Sequence, residues 1–333
     1  MTDERVPADQ PRRRKRLERD ARAKRRVVLH DGDVAIFLDL YRARLLSSDQ
    51  ICAIFPPERR NELPYSDKYD PNEPRLNRLR DLFDGKYLDR LPYGASDEER
   101  GTYGGSQRLI YALGRDGASA LRRRYPNLPV RTLDNDLKAL FIDHQLQISN
   151  VFTTVRVAER LGLHRGLAFW EEGHKLQDSF YTDDGGHWKE SPTPAARKEL
   201  VRHRVEPDAF FCLKFAGEGG KDLGLNYFLE ADRSNMPHGK MATKYLAYFL
   251  WFRHRLHTEK LGISFFVVLT VCVSPERRDE LRKKVAARID PPGKATPLFW
   301  FCSERDFSSA EPERFLGPIW YTPGSDTPRG LLS

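Results

Sequence analysis

The chain has 333 residues, of which 39% are hydrophobic and 11% aromatic, and this composition excludes an intrinsically disordered protein. Its length is sufficient for two domains with separate hydrophobic cores. The chain carries 56 basic and 48 acidic residues, a net charge of +8. The location of this excess positive charge indicates which part of the chain can bind an anionic partner.

The excess of positive charge lies in an N-terminal arm, residues 1–26. Between Arg12 and Arg26 there are ten basic residues against Glu18 and Asp20, so this segment accounts for the whole net charge. The rest of the chain is nearly neutral, and any DNA-binding surface on it must be a local patch. The arm lacks hydrophobic periodicity and is rich in arginine, which predicts a disordered segment that binds the phosphates of double-stranded DNA. The alternative is a tail that is only solvated.

The cysteines are typical of a cytoplasmic protein. They stand far apart in apolar surroundings, without the spacing of a zinc site, and are predicted to be reduced core residues: Cys52, Cys212, Cys272 and Cys302. The longest apolar run, Ile263 to Val273, is too short to cross a bilayer. The basic N-terminus has no apolar stretch after it, which excludes a signal peptide.

Residues 27–125 have the pattern of three helices followed by two short strands. The hydrophobic spacing predicts helices at 32–46, 49–55 and 73–87, and strands at 87–93 and 107–113, with a further helix at 114–125. This order is that of a winged helix, a helix-turn-helix variant whose third helix enters the major groove. The candidate DNA-contacting residues are therefore Arg75, Asn77, Arg78 and Arg80 on that helix and Arg108 on the wing. Because acids and bases are about equal here, a protein-binding module is the alternative.

A second domain is predicted at residues 133–307, after a proline-containing linker at 126–132. Its pattern gives a long helix at 134–161, a strand at 167–171 and a polar insertion loop at 173–198. Strands at 205–215 and 225–229, a helix at 239–260, a buried strand at 263–274, a helix at 275–289 and a strand at 297–302 follow. These elements predict an α/β domain with a mixed central sheet, and the Pro- and Gly-rich residues 308–333 predict an irregular tail.

One histidine lies within the long predicted helix. His144 has apolar neighbours at helical spacing, which favours a core or capping histidine over a metal ligand.

Three carboxylates and two amines lie at the ends of apolar elements in the second domain. Asp208 begins one predicted strand, and Glu230 and Asp232 end the next. Period two in a strand puts Glu230 and Asp232 on the same face, and antiparallel pairing would bring Asp208 beside them. Lys240 and Lys244 are four residues apart, so both project from one face of the following helix.

Carboxylates gathered at strand ends suit a hard divalent cation such as Mg²⁺. A metal held in this way activates a water and neutralises charge on a phosphodiester, while a lysine steadies the water or the phosphate. The hypothesis is that Asp208 and Glu230 bind Mg²⁺, that Asp232 assists, and that Lys240 or Lys244 polarises the water. The alternative for each acid is an ordinary solvated carboxylate at a strand end.

These residues resemble the motifs of the PD-(D/E)XK nuclease superfamily. Pro207-Asp208 resembles its PD, and Glu230-Ala231-Asp232 resembles its (D/E)XK, although Asp232 stands where the superfamily has lysine. Some members supply the amine from the following helix, which would be Lys240 or Lys244 here. The resemblance also implies a metal-linked glutamate on the helix before the first strand, for which Glu159 is the candidate. The predicted order of elements matches the core of this restriction-endonuclease-like fold.

The runs PDAFF and FLEADR, behind a segment that reads RLNRLRDLFDGKYLDR, more narrowly resemble the replication-relaxation proteins of plasmids and mobile elements. This resemblance implies a part in plasmid replication and DNA relaxation, with plasmid replication proteins as partners. Two interpretations stay open: a Mg²⁺-dependent nickase or nuclease, and a non-catalytic DNA-binding replication-initiation factor. A transcriptional regulator with a degenerate nuclease fold is a third.

Overall fold

The computed structural model describes residues 18–19, 27–57, 71–91, 109–130, 132, 139–234, 238–289 and 298–332. Its N-terminal part contains helices α1 (Asp31–Ala43), α2 (Ser48–Ile54), α3 (Glu73–Asp84) and α4 (Arg115–Arg124), and strands β1 (Leu45–Ser47), β2 (Leu88–Leu91) and β3 (Ile110–Leu113). The strands form an antiparallel sheet in the order β1-β3-β2. The predicted helices and strands of this part are confirmed, and β1 is additional because three residues are too few to show periodicity.

The start of α2 shows how local sequence fixes these elements. The Ser47 hydroxyl accepts a hydrogen bond from the Gln50 amide at 3.1 Å, and the Gln50 side chain accepts one from the Ser47 amide at 2.8 Å. These bonds satisfy backbone N–H groups that the first turn of a helix leaves without partners. The polar residues before the apolar run therefore mark where the helix begins.

The C-terminal part is built on a five-stranded sheet. The strands of this part, which also contains a smaller sheet, are β4 (Gly166–Glu172), β5 (Asp178–Thr182), β6 (Trp188–Lys189), β7 (Val201–Val205), β8 (Ala209–Ala216), β9 (Asp222–Asp232), β10 (Val267–Cys272) and β11 (Phe299–Ser303). The helices are α5 (Ala139–Arg160), α6 (His238–Arg253), α7 (Leu256–Leu261), α8 (Pro275–Arg288) and α9 (Pro312–Leu316). The large sheet has the order β11-β10-β9-β8-β4. Strand β8 is antiparallel to β4 and β9, whereas β9, β10 and β11 are parallel, so the protein is mixed α/β as predicted.

Alternate residues of the large sheet pack against helices on opposite faces. On one face, Phe152 of α5 lies 5.1 Å from Trp170 of β4, measured between ring centroids. On the other face, Phe228 of β9 lies 5.9 Å from Tyr248 and 5.8 Å from Trp251 of α6. Since residues two apart in a strand share a face, the residues after Phe228 at even positions also point toward α6.

The core on the α5 face continues into the N-terminal elements. Phe37 of α1 and Leu82 of α3 are buried in the same hydrophobic cluster as Phe152 of α5 and Phe211 of β8. Residues on both sides of the predicted linker at 126–132 therefore belong to one cluster.

Three predictions about the C-terminal part are corrected. The predicted insertion loop at 173–198 contains β5 and β6, which form a second sheet with β7 in the order β6-β5-β7. The predicted helix at 239–260 is two helices, because Arg255 has a positive φ of 57° between them. The predicted irregular tail contains α9, and its Phe315 and Trp320 are fully buried. The strands β5 and β6 and the helix α9 are too short to show the hydrophobic periodicity by which a strand or a helix is recognised in a sequence.

The cysteine prediction is confirmed, since Cys52, Cys212, Cys272 and Cys302 are all free and buried. Within the described ranges, none of the helices has the length and apolar character that a bilayer crossing requires.

Most of the basic arm at residues 1–26 lies outside the described residues, as does Arg108. The described part of the arm includes Arg19. Its guanidinium pairs with Asp89, donates to the Leu88 carbonyl at 3.1 Å and lies over the Phe83 ring. This arginine therefore contacts α3 and β2 of its own chain.

Candidate functional site

Strand pairing brings Asp208 beside the end of β9. Ala209 lies opposite Leu229 in the β8–β9 register, and the Asp208 amide donates to the Leu229 carbonyl at 3.0 Å. The Asp208 carboxylate in turn accepts a hydrogen bond from the Ala231 amide at 2.7 Å. The antiparallel arrangement predicted for these two strands is confirmed, and it places Asp208 next to Glu230 in space.

His144 of α5 holds the other oxygen of Asp208. Its Nε2 lies 3.1 Å from Asp208 Oδ1, and its side chain is 32% exposed. His144 is therefore half-buried and hydrogen-bonded to a carboxylate, and it is not enclosed in the apolar core. Burial lowers the pKa of His144, but the hydrogen bond to Asp208 and the negative charges of Asp208 and Glu230 together outweigh this and leave the pKa above its usual value. Burial would raise the pKa of Asp208, but His144 and the charge of Lys244 hold it below its usual value. The polar residues that flank His144, Asp143 and Gln145, were the signal that this part of the helix leaves the apolar face.

Glu230 is the most deeply buried acid of the cluster, at 2% exposure. Its carboxylate accepts a hydrogen bond from Lys244 and a second, of 2.5 Å, from the Tyr248 hydroxyl. Burial raises the pKa of Glu230, although Lys244 and Tyr248 favour its ionised form. The neighbouring carboxylates Glu230 and Asp208 in turn keep the pKa of Lys244 above its usual value despite burial.

The two predicted lysines have different positions. Lys244 lies against Glu230, whereas Lys240, one turn earlier on α6, is exposed. Tyr248 lies one turn after Lys244 on the same helix face, so its spacing from Lys244 was the signal that could have identified it.

Asp232 shares the α6 face with Glu230, as its position in the strand predicted, but it has a different partner. Arg277 of α8 makes two hydrogen bonds to the Asp232 carboxylate, of 2.5 and 3.0 Å. Asp232 is 4% exposed. This two-pronged ion pair joins β9 to α8 and occupies both oxygens of the carboxylate.

Glu172 is a further acid at this end of the sheet, which the sequence reasoning missed. It lies opposite Ala209, the residue after Asp208, in the β4–β8 register. Its carboxyl accepts hydrogen bonds of 2.8 Å from the Trp170 indole and 2.8 Å from Gln145 of α5. Burial raises the pKa of Glu172 to about 7, against the lowering effect of these two bonds. The signal was an acidic pair, Glu171-Glu172, at the end of a predicted strand.

Glu159 is not brought to this cluster. It pairs with Arg156 and lies near the start of β4, where the Leu167 amide donates to it at 3.4 Å, whereas Glu172 ends that strand. Glu159 and His144 are fifteen residues apart on α5, which is about 22 Å along a helix. The structure thus separates Glu159 from Asp208 and Glu230.

Asp208 and Glu230 form a pair of acids rather than a larger ligand set. Across the described ranges, no group of three or more His, Cys, Asp or Glu side chains is arranged to hold a metal ion. A pair nevertheless suits Mg²⁺, which proteins usually bind through one or two carboxylates together with substrate phosphates and water.

The predicted DNA-contacting residues of α3 divide into two groups. Arg78 donates to the buried Asp33 of α1 from Nε at 2.9 Å and from Nη2 at 2.5 Å, and it also donates to the Val28 carbonyl. Arg75 donates to the Phe55 carbonyl at the end of α2 at 2.9 Å. Asn77 is half-buried and Arg80 is exposed. The contacts of Arg75 and Arg78 thus join helices of the same chain, and the exposed Arg80 is the one that faces solvent.

The family comparison covers both parts of the fold. A family model described as replication-relaxation matches residues 37–265, more than half of the chain, from α1 to the segment before β10. The matched range includes His144, Asp208, Glu230 and Lys244. No curated protein and no solved structure matches the chain. The chain belongs to the replication-relaxation family.

Proposed function

We propose that the protein binds double-stranded DNA and nicks it in a Mg²⁺-dependent reaction during plasmid or mobile-element replication and DNA relaxation. Membership of the replication-relaxation family supports a role in plasmid or mobile-element replication or relaxation. DNA binding and strand cleavage are the finer parts of the proposal, and they rest on the residues described above.

One observation carries the proposal of cleavage. Two carboxylates and one ammonium group, from Asp208, Glu230 and Lys244, meet where β8 begins and β9 ends. Carboxylates that can hold a metal ion, with a lysine nearby, can support metal-dependent phosphodiester cleavage. The residues are those in which the sequence resembles the PD-(D/E)XK superfamily, with Lys244 in place of the missing motif lysine.

The roles of the side chains follow from their contacts. Asp208 and Glu230 would hold Mg²⁺, which when bound neutralises charge on the phosphodiester and lowers the pKa of a water. The positive charge of Lys244 favours the ionised form of Glu230 against the effect of burial, and its ammonium lies where it can stabilise a phosphate. His144 orients the Asp208 carboxylate through its hydrogen bond. Asp232 is assigned a structural role with Arg277.

The N-terminal elements support duplex binding. Three helices, α1 to α3, are followed by the antiparallel strands β2 and β3, and this is the order on which the winged-helix prediction rests. In such a module the third helix enters the major groove, and Arg80 is the exposed arginine of α3. The arginines of the N-terminal arm would add contacts to phosphates.

A non-catalytic DNA-binding replication-initiation factor is the second candidate function. Two observations favour it: Asp232 takes the position of the motif lysine, and the oxygens of Asp208 and Glu230 already accept hydrogen bonds. A transcriptional regulator would keep the same DNA-binding elements and also lack the reaction.

Nicking of supercoiled plasmid in Mg²⁺ or Mn²⁺ tests the proposal. The wild type should convert plasmid to the open-circular form, Asp208→Asn should abolish this, and Glu159→Gln, a matched change outside the cluster, should not. Both metals should also raise the melting temperature of the wild type and not that of Asp208→Asn, because a ligand of the folded state stabilises it. Stabilisation without nicking would favour the non-catalytic factor. If neither metal shifts the melting curve, the metal site is wrong.

A further inference from the structure

A cavity of about 320 Å³ lies between the end of α1, the end of β4 and the segment after it. Ligand sites in proteins generally begin at about 300 Å³, so the cavity can hold one small molecule or one unit of a polymer. Its lining includes the cationic side chains Arg42, Arg44 and Lys175 and the aromatic residues Tyr41 and Trp170.

Glu172 connects the cavity to the candidate active site. It lines the cavity, and Gln145, the residue after His144, donates a hydrogen bond to its carboxyl. The same Gln145 amide group donates to the Ala43 carbonyl at the end of α1 at 3.1 Å. One amide thus joins the end of α1, the end of β4 and the helix that carries His144, the residue that contacts Asp208.

The charges of the lining favour an anion. Arg42, Arg44 and Lys175 line the cavity together with Glu171 and Glu172. Arg42 also pairs with Asp39, and burial raises the pKa of Glu172 to about 7, which reduces the negative charge of the lining near neutral pH. Lys175 is exposed and therefore free to meet a ligand from solvent. An arginine and a lysine that converge on one cavity are typical of phosphate recognition.

The backbone at Arg44 is a second, independent observation. Arg44 has φ 62° and ψ −49°, although it is not glycine, and its guanidinium lies 5.4 Å from the centroid of the Phe141 ring. A non-glycine residue in such a conformation costs about 1–3 kcal/mol, and such strain is concentrated at functional sites. This arginine with the strained backbone lines the cavity.

We propose that this cavity binds one nucleoside phosphate, with its phosphate on Arg44 and Lys175 and its base against Tyr41. A nucleoside phosphate combines a phosphate anion with a flat base. Arg44 and Lys175 of the lining can pair with the phosphate, and the half-buried ring of Tyr41 can stack on the base. The source is either an unpaired nucleotide of a DNA strand or a free nucleotide. The first source rests on the proposed function, because it places the strand beside the proposed cleavage site.

Binding measurements with the full chain test this assignment. The probes are a short labelled single-stranded oligonucleotide, the corresponding duplex, a deoxynucleoside monophosphate as competitor, and inorganic phosphate. Lys175→Glu and Arg44→Gly should each weaken single-strand binding about tenfold and leave duplex binding within about twofold, because a paired base cannot enter the cavity. The control is Lys198→Glu, the same charge change at an exposed lysine outside the lining. It should change the affinity for both oligonucleotides only slightly and equally.

The outcomes separate the sources and the two proposals. Competition by the monophosphate, with loss of competition in Lys175→Glu, identifies a free nucleotide as a ligand, and single-strand binding without competition identifies the strand. If the wild type neither nicks plasmid nor binds duplex, but Lys175→Glu loses single-strand binding, the cavity assignment would be supported and the proposed function would be wrong. Equal effects of Lys175→Glu and Lys198→Glu on every probe, or no effect of Lys175→Glu, would overturn the cavity assignment while leaving the nicking proposal to its own test.

Discussion

The ammonium group of Lys244 on α6 pairs with the buried carboxylate of Glu230 on β9, and this pair ties a helix to the middle strand of the large sheet. Lys244→Ala would leave Glu230, at 2% exposure, without its cation. We expect the free energy of unfolding to fall by about 3–5 kcal/mol, as when one partner of a buried ion pair is removed. Urea denaturation measures this change.

Two further variants make this prediction specific. Lys240→Ala, at an exposed position of the same helix, should change the free energy of unfolding by less than about 0.5 kcal/mol. Combining Lys244→Met with Glu230→Gln should recover much of the loss, because neither charge is then left alone. Equal losses in Lys240→Ala and Lys244→Ala would contradict the assignment.

The ion pair between Asp232 and Arg277 predicts the result of restoring the superfamily motif. Asp232→Lys would place an ammonium group against the Arg277 guanidinium at a site that is 4% exposed. We expect a loss of more than about 3 kcal/mol in the free energy of unfolding and no gain in plasmid nicking. Asp232→Asn, which keeps the shape, should cost about 1–3 kcal/mol. A stable Asp232→Lys protein that nicks faster than the wild type would show that Asp232 belongs to the catalytic group.

Two arginines of α3 should behave differently. Arg78→Ala leaves Asp33, at 3% exposure, without its partner, and should lower the free energy of unfolding by about 3 kcal/mol. Arg80→Ala, at an exposed position of the same helix, should leave stability within about 0.5 kcal/mol but weaken duplex binding and reduce its salt dependence. Thermal unfolding and electrophoretic titrations at two salt concentrations distinguish them. If Arg80→Ala were less stable than Arg78→Ala, the structural role assigned to Arg78 and the DNA-binding role assigned to Arg80 would be wrong.

The raised pKa of Glu172 predicts a pH dependence of stability. Its carboxyl binds a proton up to about pH 7 in the folded state, against a usual pKa of 4.5. The folded state therefore binds more protons between these values, and the stabilisation present below pH 4.5 is lost as the pH rises through about 7. The loss should reach at most about 3.5 kcal/mol, since one pKa unit corresponds to about 1.4 kcal/mol.

Comparison of variants isolates the Glu172 contribution. The raised pKa values of Glu230 and His144 act in the same direction, so the quantity of interest is the difference between wild type and Glu172→Gln across this pH range. Glu172→Gln should flatten the decline, and Glu171→Gln, at the exposed neighbouring position, should not. Parallel pH profiles for wild type and Glu172→Gln would show that burial does not perturb this carboxyl.

The positive φ of Arg44 predicts that its two smallest replacements differ. Arg44→Ala and Arg44→Gly both remove the guanidinium and its contact with Phe141, but only glycine adopts a φ of 62° and ψ of −49° without strain. The glycine variant should be the more stable of the two by about 1 kcal/mol, measured by urea denaturation. A more stable alanine variant would mean that this backbone conformation carries no strain.

Local chemistry was sufficient to predict most elements of this protein. Ser47 marks the start of α2, continuous apolar residues mark β10, and alternation puts Glu230 and Asp232 on one face of β9. These features depend on neighbours in sequence, through capping, periodicity and the pleat of a strand. For the same reason, the sequence could indicate that Asp208, Glu230 and a helix lysine lie near one another once β8 and β9 pair antiparallel.

Only the tertiary structure decided which partner each charged group takes. Lys244 rather than Lys240 meets Glu230, Arg277 takes Asp232, Arg78 takes Asp33, and His144 turns to Asp208. Partners in these four pairs are 14 to 64 residues apart along the chain, so neither residue's local pattern contains the other. A buried charge must find a counter-charge to offset its loss of hydration, and which one lies within reach depends on how the helices pack on the sheet.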